Sequence, residues 1–94
     1  MNGNEKIPLT DKKWFQLKQK QQILISTMLR DLYIKFVLEN KRKPNRDEKQ
    51  FIAASVYLDV QEKEIFISAN EISKYFESRI AKYDKSIEKL DLMP

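Results

Sequence analysis

The chain contains no cysteine and no histidine among its 94 residues. Disulfides, thiolate nucleophiles and zinc's usual sulfur and nitrogen ligands are therefore excluded, as is the side chain that most often moves protons at neutral pH. The one glycine, Gly3, cannot form a glycine-rich phosphate-binding loop. We therefore expect a protein that is not an enzyme and that has no metal, no cofactor and no small-molecule substrate.

Long hydrophobic runs are also absent. The longest ones, such as Phe36-Val37-Leu38, contain only a few residues, whereas a membrane-spanning helix needs roughly 20. The first fourteen residues lack the apolar centre and the small-residue cleavage site of a signal peptide. We expect a cytoplasmic protein that does not contact membranes.

Proline and glycine, which interrupt regular structure, are nearly missing from the body of the chain. Pro44 is the one such residue between Pro8 and Pro94, so the frequent tight turns of a β-sandwich are excluded. The apolar residues recur at helical spacing. The sequence predicts an all-α fold, a small helical bundle with three principal helices at about residues 11–40, 46–60 and 69–90. We expect a single domain over residues 1–94, with residues 1–9 as a flexible N-terminal tail and the first helix in the centre.

The predicted first helix is hydrophobic on several sides. Thr10 or Asp11 can cap its start, and the apolar residues that follow include Leu17, Leu24, Ile25, Met28, Leu29, Leu32, Tyr33 and Phe36. A helix over residues 11–40 would be about 45 Å long, but a compact globule of this size is only about 32 Å across. Either the helix breaks near residues 19–22 or a partner covers the excess, and we favour a second copy of the chain. The predicted interface consists of Trp14, Leu17, Ile25, Met28, Leu29 and Phe36.

The second and third helices have recognisable starts. Asn45 followed by Glu48, and Ser68 followed by Glu71, each match the pattern of a capping box. The second helix has a predicted buried side that consists of Phe51, Ile52, Ser55, Val56 and Leu58. The third has one apolar stripe that consists of Ile72, Phe76, Ile80, Tyr83, Ile87 and Leu90.

Three further features belong to the second half of the chain. Residues 65–67 are predicted to be extended, as a linker tucked into the core rather than a strand paired with residues 7–9. Residues 69–76 resemble the first helix of helix-turn-helix regulators, but the apolar stripe continues past Phe76 without a turn, so we do not predict that motif. Asp84 and Glu88 form a pair of carboxylates that we interpret as part of a solvated helix face.

Positive charge is concentrated where the first helix ends. The net charge of +4 divides into +3 for residues 1–40, +4 for residues 41–46 and −3 for residues 47–94. Cations at a helix C-terminus are favourable without any ligand, and this is the interpretation we favour. The alternative is a surface that contacts nucleic-acid phosphates. It consists of Lys41, Arg42, Lys43 and Arg46 and is extended by Lys12, Lys13 and Lys18.

Trp14 and Phe15 lie among the lysines of the N-terminal region. Aromatic rings among cations can stack on single-stranded bases, but we favour Trp14 packing on the end of the bundle and Phe15 closing a contact at the helix start. The sequence thus predicts a non-enzymatic interaction or regulatory module that acts through an apolar helix face as a homodimer, with the direction of helix pairing open. The alternative is a nucleic-acid-binding accessory protein.

Overall fold

The computed structural model describes residues 12–89, which form three α-helices preceded by a 3-10 helix at Trp14–Gln16. Helix α1 spans Gln19–Asn40, α2 spans Arg46–Glu62 and α3 spans Ala69–Lys89. Each helix contacts the other two, so α1 is one of three packed rods rather than a central helix, and residues 12–89 contain no strand. The predicted all-α bundle is confirmed. The predicted tail at residues 1–9, the candidate caps Thr10 and Asp11, and Leu90 lie outside the described residues.

Helix α1 begins at residue 19, not at residue 11 as predicted, because a longer helix would bury the wrong side chains. Its core residues recur every fourth position, as Ile25, Leu29, Tyr33 and Val37. A regular helix continued by about seven residues, or two full turns, before Ile25 would place Lys18 on the same side as Ile25, and a buried unpaired ammonium group is costly. The backbone is instead extended at Leu17 and Lys18, with ψ of 149° and 152°. This change of phase buries Leu17 and leaves Lys18 exposed.

The break removes the overhang that the sequence predicted. With 22 residues α1 is about 33 Å long, and α3, with 21 residues, is about 32 Å long. The two helices match in length. Of the two alternatives, the break is the one that forms, at residues 17–18 rather than at 19–22, and the favoured one, a partner that covers an overhanging first helix, is wrong. Three residues of the predicted interface, Leu17, Ile25 and Leu29, lie in the chain's own core and offer no surface to a partner.

The bend between α1 and α2 is built by a left-handed residue and a capping box. Lys41 has φ 58° and ψ 30°, and its amide donates a 2.8 Å hydrogen bond to the carbonyl of Val37. Asn45 then caps α2, because its side-chain oxygen accepts the amide of Glu48 at 2.9 Å. The Glu48 carboxylate accepts the amide of Asn45 in return, at 2.8 Å. This predicted capping box is confirmed.

The connection between α2 and α3 is held by two isoleucines. Ile65 and Ile67 are buried, and the amide of Ile65 donates to the carbonyl of Val60 at 2.9 Å. Residues 65–68 have no regular structure, so the prediction of an apolar linker tucked into the core is confirmed. Residues 7–9, the alternative strand partner of residues 65–67, lie outside the described residues.

Only half of the second predicted capping box forms, and the other half ties the 3-10 helix to α3. The hydroxyl of Ser68 accepts the amide of Glu71 at 3.1 Å, as expected. The Glu71 carboxylate, however, accepts the amide of Trp14 at 2.9 Å. The Trp14 ring stacks on Tyr75 with 3.9 Å between ring centroids and 13° between planes, so Trp14 packs on the end of the bundle as predicted.

These contacts show that α1 and α3 run parallel. Trp14, just before α1, meets Tyr75 near the start of α3, and Tyr33 further along α1 meets Tyr83, with ring centroids 5.6 Å apart. The members of the two pairs are 61 and 50 positions apart, and both partners advance towards the C-terminus, as parallel helices require. Helix α3 continues without a turn to Lys89, which agrees with the prediction that no helix-turn-helix forms.

Acid should release Trp14 from α3. The hydrogen bond from the Trp14 amide, with a smaller contribution from Lys74, lowers the pKa of Glu71 below its ordinary value. A lowered pKa in the docked state means that docking is fully stabilised above the ordinary pKa of a glutamate, about 4.3, and is lost as the pH falls below it. Because Trp14 is the one tryptophan of the chain, we expect its emission to shift to longer wavelength on acidification.

The variant Glu71→Gln should weaken the same contact at pH 7 and remove most of this pH dependence. Glu88→Gln, an exposed position elsewhere on α3, is the matched control and should behave as the wild type. Identical emission-versus-pH curves for all three proteins would contradict the assignment of Glu71 as the anchor of Trp14.

Candidate functional site

The basic bend at residues 41–46 was one candidate site, and its cations are mostly engaged within the chain. The guanidinium of Arg42 donates two 2.8 Å hydrogen bonds, one to each carboxylate oxygen of Glu48. It also donates to the carbonyl of Lys43 at 3.1 Å and lies 5.1 Å from the ring centroid of Phe36. A guanidinium group that forms two hydrogen bonds with one carboxylate and packs on an aromatic ring is held in a fixed orientation by these partners. Arg42 therefore holds the bend closed rather than facing a ligand.

Lys43 belongs to a second internal cluster. Its ammonium group lies 3.3 Å from one carboxylate oxygen of Asp84, and the other oxygen accepts the hydroxyl of Tyr33 at 2.6 Å. The Asp84 side chain is 18% exposed, so the prediction that it belongs to a solvated face is wrong, although Glu88 is exposed. Burial, and then this hydrogen bond, raises the pKa of the Tyr33 hydroxyl above its ordinary value.

The structure does not bring the predicted phosphate-binding cations together. Lys41 and Arg46 are exposed and form no ion pair within residues 12–89. Lys12, Lys13 and Lys18 are exposed as well, but they precede α1 while the bend follows it. About 33 Å of helix separates the two groups, so they are not one continuous basic surface.

Acid should also loosen the bend. Arg42, and then the amide of Asn45, holds the pKa of Glu48 at about 2. Because this pKa is below the ordinary value of a glutamate, the ionised Glu48 stabilises the folded chain fully above about pH 4.5. This stabilisation is lost as the pH falls towards 2. We expect Glu48→Gln to lower the urea midpoint at pH 7 and to flatten its decline between about pH 4.5 and about pH 2.5.

The neighbouring exposed carboxylate Asp47, which forms no ion pair among the described residues, provides the control. Asp47→Asn should keep a decline parallel to that of the wild type. A Glu48→Gln curve parallel to the wild type would show that the ion pair adds nothing to stability.

The outer face of α2 is the most unusual surface of the bundle. Nine consecutive residues, 50–58, carry no charge, in a chain of which 34% is charged. Phe51 is 73% exposed and Leu58 is 64% exposed, although both were predicted to lie on the buried side. The core residues of α2 are Ile52, Ala53, Val56 and Val60. We call the exposed residues Phe51, Ala54 and Leu58, together with the half-buried Ser55, the α2 face.

A groove runs beside the α2 face, along the line where α1 and α2 meet. One part is lined by Leu32, Phe36, Phe51 and Ser55, and the adjoining part by Met28, Leu32, Ser55 and Asp59. The two parts share Leu32 and Ser55, so they form one continuous depression. Lys35 and Glu39 border it on the α1 side. We call this depression the α1–α2 groove.

The structure thus divides the predicted interface. Met28 and Phe36 line the α1–α2 groove, whereas Leu17, Ile25 and Leu29 belong to the core, and Trp14 packs on Tyr75. Phe15, predicted to close a contact at the helix start, is 78% exposed. The signal that could have found the α2 face is the run of nine uncharged residues, since an ordinary exposed helix face carries charges.

The described residues contain no cluster of three or more acidic side chains that could hold a metal ion. None of the helices within residues 12–89 is long and apolar enough to cross a membrane. Comparison of the chain with protein-family models, with curated proteins and with solved structures finds no match. The surfaces of the bundle are therefore the basis for inferring its function.

Proposed function

We propose that the protein is a non-enzymatic interaction module that forms a homodimer through the α2 face and the adjoining α1–α2 groove. The observation that carries the proposal is the exposure of Phe51 and Leu58 on a helix face without charge. Apolar side chains of this size, grouped on one face and exposed, are typical of a contact surface. The proposed surface is centred on α2, and the first helix contributes only the residues that line the groove, such as Met28 and Phe36.

The spacing of the α2 face fits a second copy of the same chain. Phe51 and Leu58 lie two helical turns apart, with the small residues Ala54 and Ser55 between them. Antiparallel pairing about the midpoint of Ala54 and Ser55 places each Phe51 on the partner's Leu58, and the small residues let the helices approach closely. One surface patch then matches itself, as a two-fold interface requires.

The charges at the ends of α2 weaken this arrangement. In the register about Ala54 and Ser55, Glu62 of one copy lies opposite the partner's Asp47, and both side chains are exposed. These like charges repel each other, whereas the antiparallel helix dipoles are aligned favourably. The apolar centre of the α2 face therefore has to supply the affinity.

The size of the surface predicts a weak dimer. Helix α2 has 17 residues and is about 26 Å long, and the strip that includes the groove is about 20 Å wide because packed helix axes lie 8–10 Å apart. Each copy would bury about 500 Å², so the total of about 1,000 Å² is at the lower limit for a specific interface. We expect a dissociation constant in the micromolar range.

Replacement of Phe51 should separate the copies. Phe51→Glu places a charge in an apolar contact, and it does so twice in a symmetric dimer. Sedimentation equilibrium between about 5 and about 200 µM should give a mass approaching twice 11.3 kDa for the wild type. The variant should keep the mass of one chain.

Phe15→Glu is the matched control, because Phe15 is as exposed as Phe51 but lies on the 3-10 helix. It should dimerise as the wild type does. Circular dichroism establishes that each variant is folded. A monomeric wild type at the highest concentration, or equal effects of both substitutions, would contradict the proposal.

The direction of pairing can be tested in a chain that has no cysteine of its own. A cysteine introduced by Ala54→Cys lies at the proposed two-fold axis and should form an intermolecular disulfide on mild oxidation. A cysteine introduced by Asp47→Cys would lie about 22 Å from its symmetry mate in the antiparallel arrangement, far beyond disulfide reach. Efficient cross-linking at both positions would instead indicate parallel pairing.

The nucleic-acid alternative at the bend is supported less well. Two of its four cations, Arg42 and Lys43, are held by Glu48 and Asp84. Phosphate binding there would first have to break these ion pairs. We therefore do not assign the bend as a binding surface.

A further inference from the structure

Arg30 of α1 and Arg79 of α3 both lie near the buried Tyr83, and Arg30 also borders a surface depression together with Asp31 and Glu39. Ser26 of α1 borders the same pocket as Tyr75 of α3, and two turns further along, Tyr33 packs on Tyr83. Arg30 is one turn beyond Ser26, and Arg79 is one turn beyond Tyr75. Because the helices run parallel, the two arginines lie at the same level of the bundle.

Neither arginine has a carboxylate partner. Within residues 12–89 five ion pairs form, and none includes Arg30 or Arg79. The guanidinium of Arg79 lies over the ring of Tyr75, 5.9 Å from its centroid. Guanidinium groups that have no ion-pair partner in the protein are able to bind an anion.

Two buried polar atoms in the same place also lack partners. Among the described residues, the hydroxyl of Tyr83 and the Nε of Arg79 are buried with no hydrogen-bond partner, and Tyr83 is only 4% exposed. Burial raises the pKa of Tyr83 to about 12, against the opposing charges of Arg79 and Arg30, so the hydroxyl lies within the field of both arginines. Unsatisfied buried donors are rare in proteins and call for an explanation.

A polar pocket lies on the side of the 3-10 helix, one helical turn before the two arginines, and neither arginine lines it. Its volume is about 210 Å³, and it is lined by Trp14, Gln19, Gln22, Ile23, Ser26 and Tyr75. The amide of Gln22 already donates to the carbonyl of Trp14 at 2.9 Å, so Gln19 and Ser26 are the polar side chains left for a ligand. Amide and hydroxyl groups can donate to and accept from a polar heterocycle or a sugar. The pocket is therefore placed to hold the organic part of a ligand whose anionic group lies between the arginines.

We propose that the face between α1 and α3 binds a nucleotide phosphate between Arg30 and Arg79, with the rest of the nucleotide in the pocket beside Ser26 and Tyr75. The arginine fork matches both phosphate and carboxylate in two-point contacts, and phosphate is the one that a heterocycle and a sugar in the pocket would accompany. It supplies the acceptor that Arg79 lacks in the protein. This site lies outside the α2 face, so it stands or falls independently of the dimer.

The test is an NMR titration of the 15N-labelled full chain at constant ionic strength, with chloride as the reference anion. The probes are inorganic phosphate, adenosine monophosphate and a short oligothymidylate. Phosphate should shift the side-chain resonance of Arg79 and the amides near Arg30. Adenosine monophosphate should bind more tightly than phosphate, because it also fills the pocket. Tighter binding of the oligonucleotide than of the mononucleotide would identify a nucleic-acid strand as the source of the phosphate.

Arg30→Gln and Arg79→Gln should each weaken binding roughly 10-fold or more, since each removes charged hydrogen bonds. Arg79→Lys keeps the charge without the fork and should give an intermediate loss. Arg46→Gln is the control, because it removes one exposed unpaired arginine at the bend and should change binding by less than about 2-fold. An equal loss in Arg46→Gln, or no shifts near Arg30 and Arg79 with any probe, would overturn the proposal.

Discussion

The bundle depends on the packing of Tyr33 at the place where its three helices are tied together. The Tyr33 ring contacts Phe76 and Tyr83 of α3, with centroid distances of 6.1 and 5.6 Å. Its hydroxyl donates to Asp84, which also holds Lys43 in the bend before α2. A single buried side chain therefore fixes how α1 packs on α3 and where the chain turns towards α2. Aromatic contacts of this kind add specific geometry to the burial of apolar area.

In this arrangement α1 has two different neighbours, and the surface beside α2 differs in character from the surface beside α3. The side of α1 that faces α2 is continued by an uncharged helix face, whereas Arg30 of α1 and Arg79 of α3 both lie near Tyr83. The first surface is suited to an apolar partner and the second to an anion. Because they lie on different sides of the bundle, occupation of one leaves the other accessible. A homodimer built on α2 would present two copies of the arginine pair facing away from the contact.

The sequence predicted the bounds of α2 and α3 well, because the features that define these helices join residues that are close together in the chain. Asn45 with Glu48, and the stripe that includes Ile72 and Phe76, depend on residues three or four positions apart. The start of α1 could not be read in the same way. Its break depends on whether Leu17 or Lys18 enters the core, and on Glu71, which binds the Trp14 amide from 57 positions away. A pairing of that kind leaves no periodic trace in the sequence.

The candidate sites also show that features along the sequence could be predicted, whereas contacts between separate elements could not. The charges of the bend were visible in the sequence, but their ion pairs with Glu48 and Asp84 were not, because the second pairing joins different elements. The hydrophobic width of α1 was interpreted as a sign of a partner. In the bundle, that width is used by contacts to α2 and α3 at once, since a helix between two neighbours needs a broad apolar side. The α2 face was missed because Phe51 and Leu58 were counted as core residues.

The uncharged stretch of α2 has a consequence for the unfolded chain as well. Residues 50–58 combine aromatic, β-branched and small side chains with no charge and no proline, which is the composition of segments that assemble into stacked β-strands. Helical winding keeps their backbone amides occupied, but an unwound α2 would expose them together with Phe51 and Leu58. Thermal unfolding of concentrated protein should therefore be prone to irreversible aggregation that starts from this segment. A contact that covers the α2 face would slow that loss by keeping the segment helical.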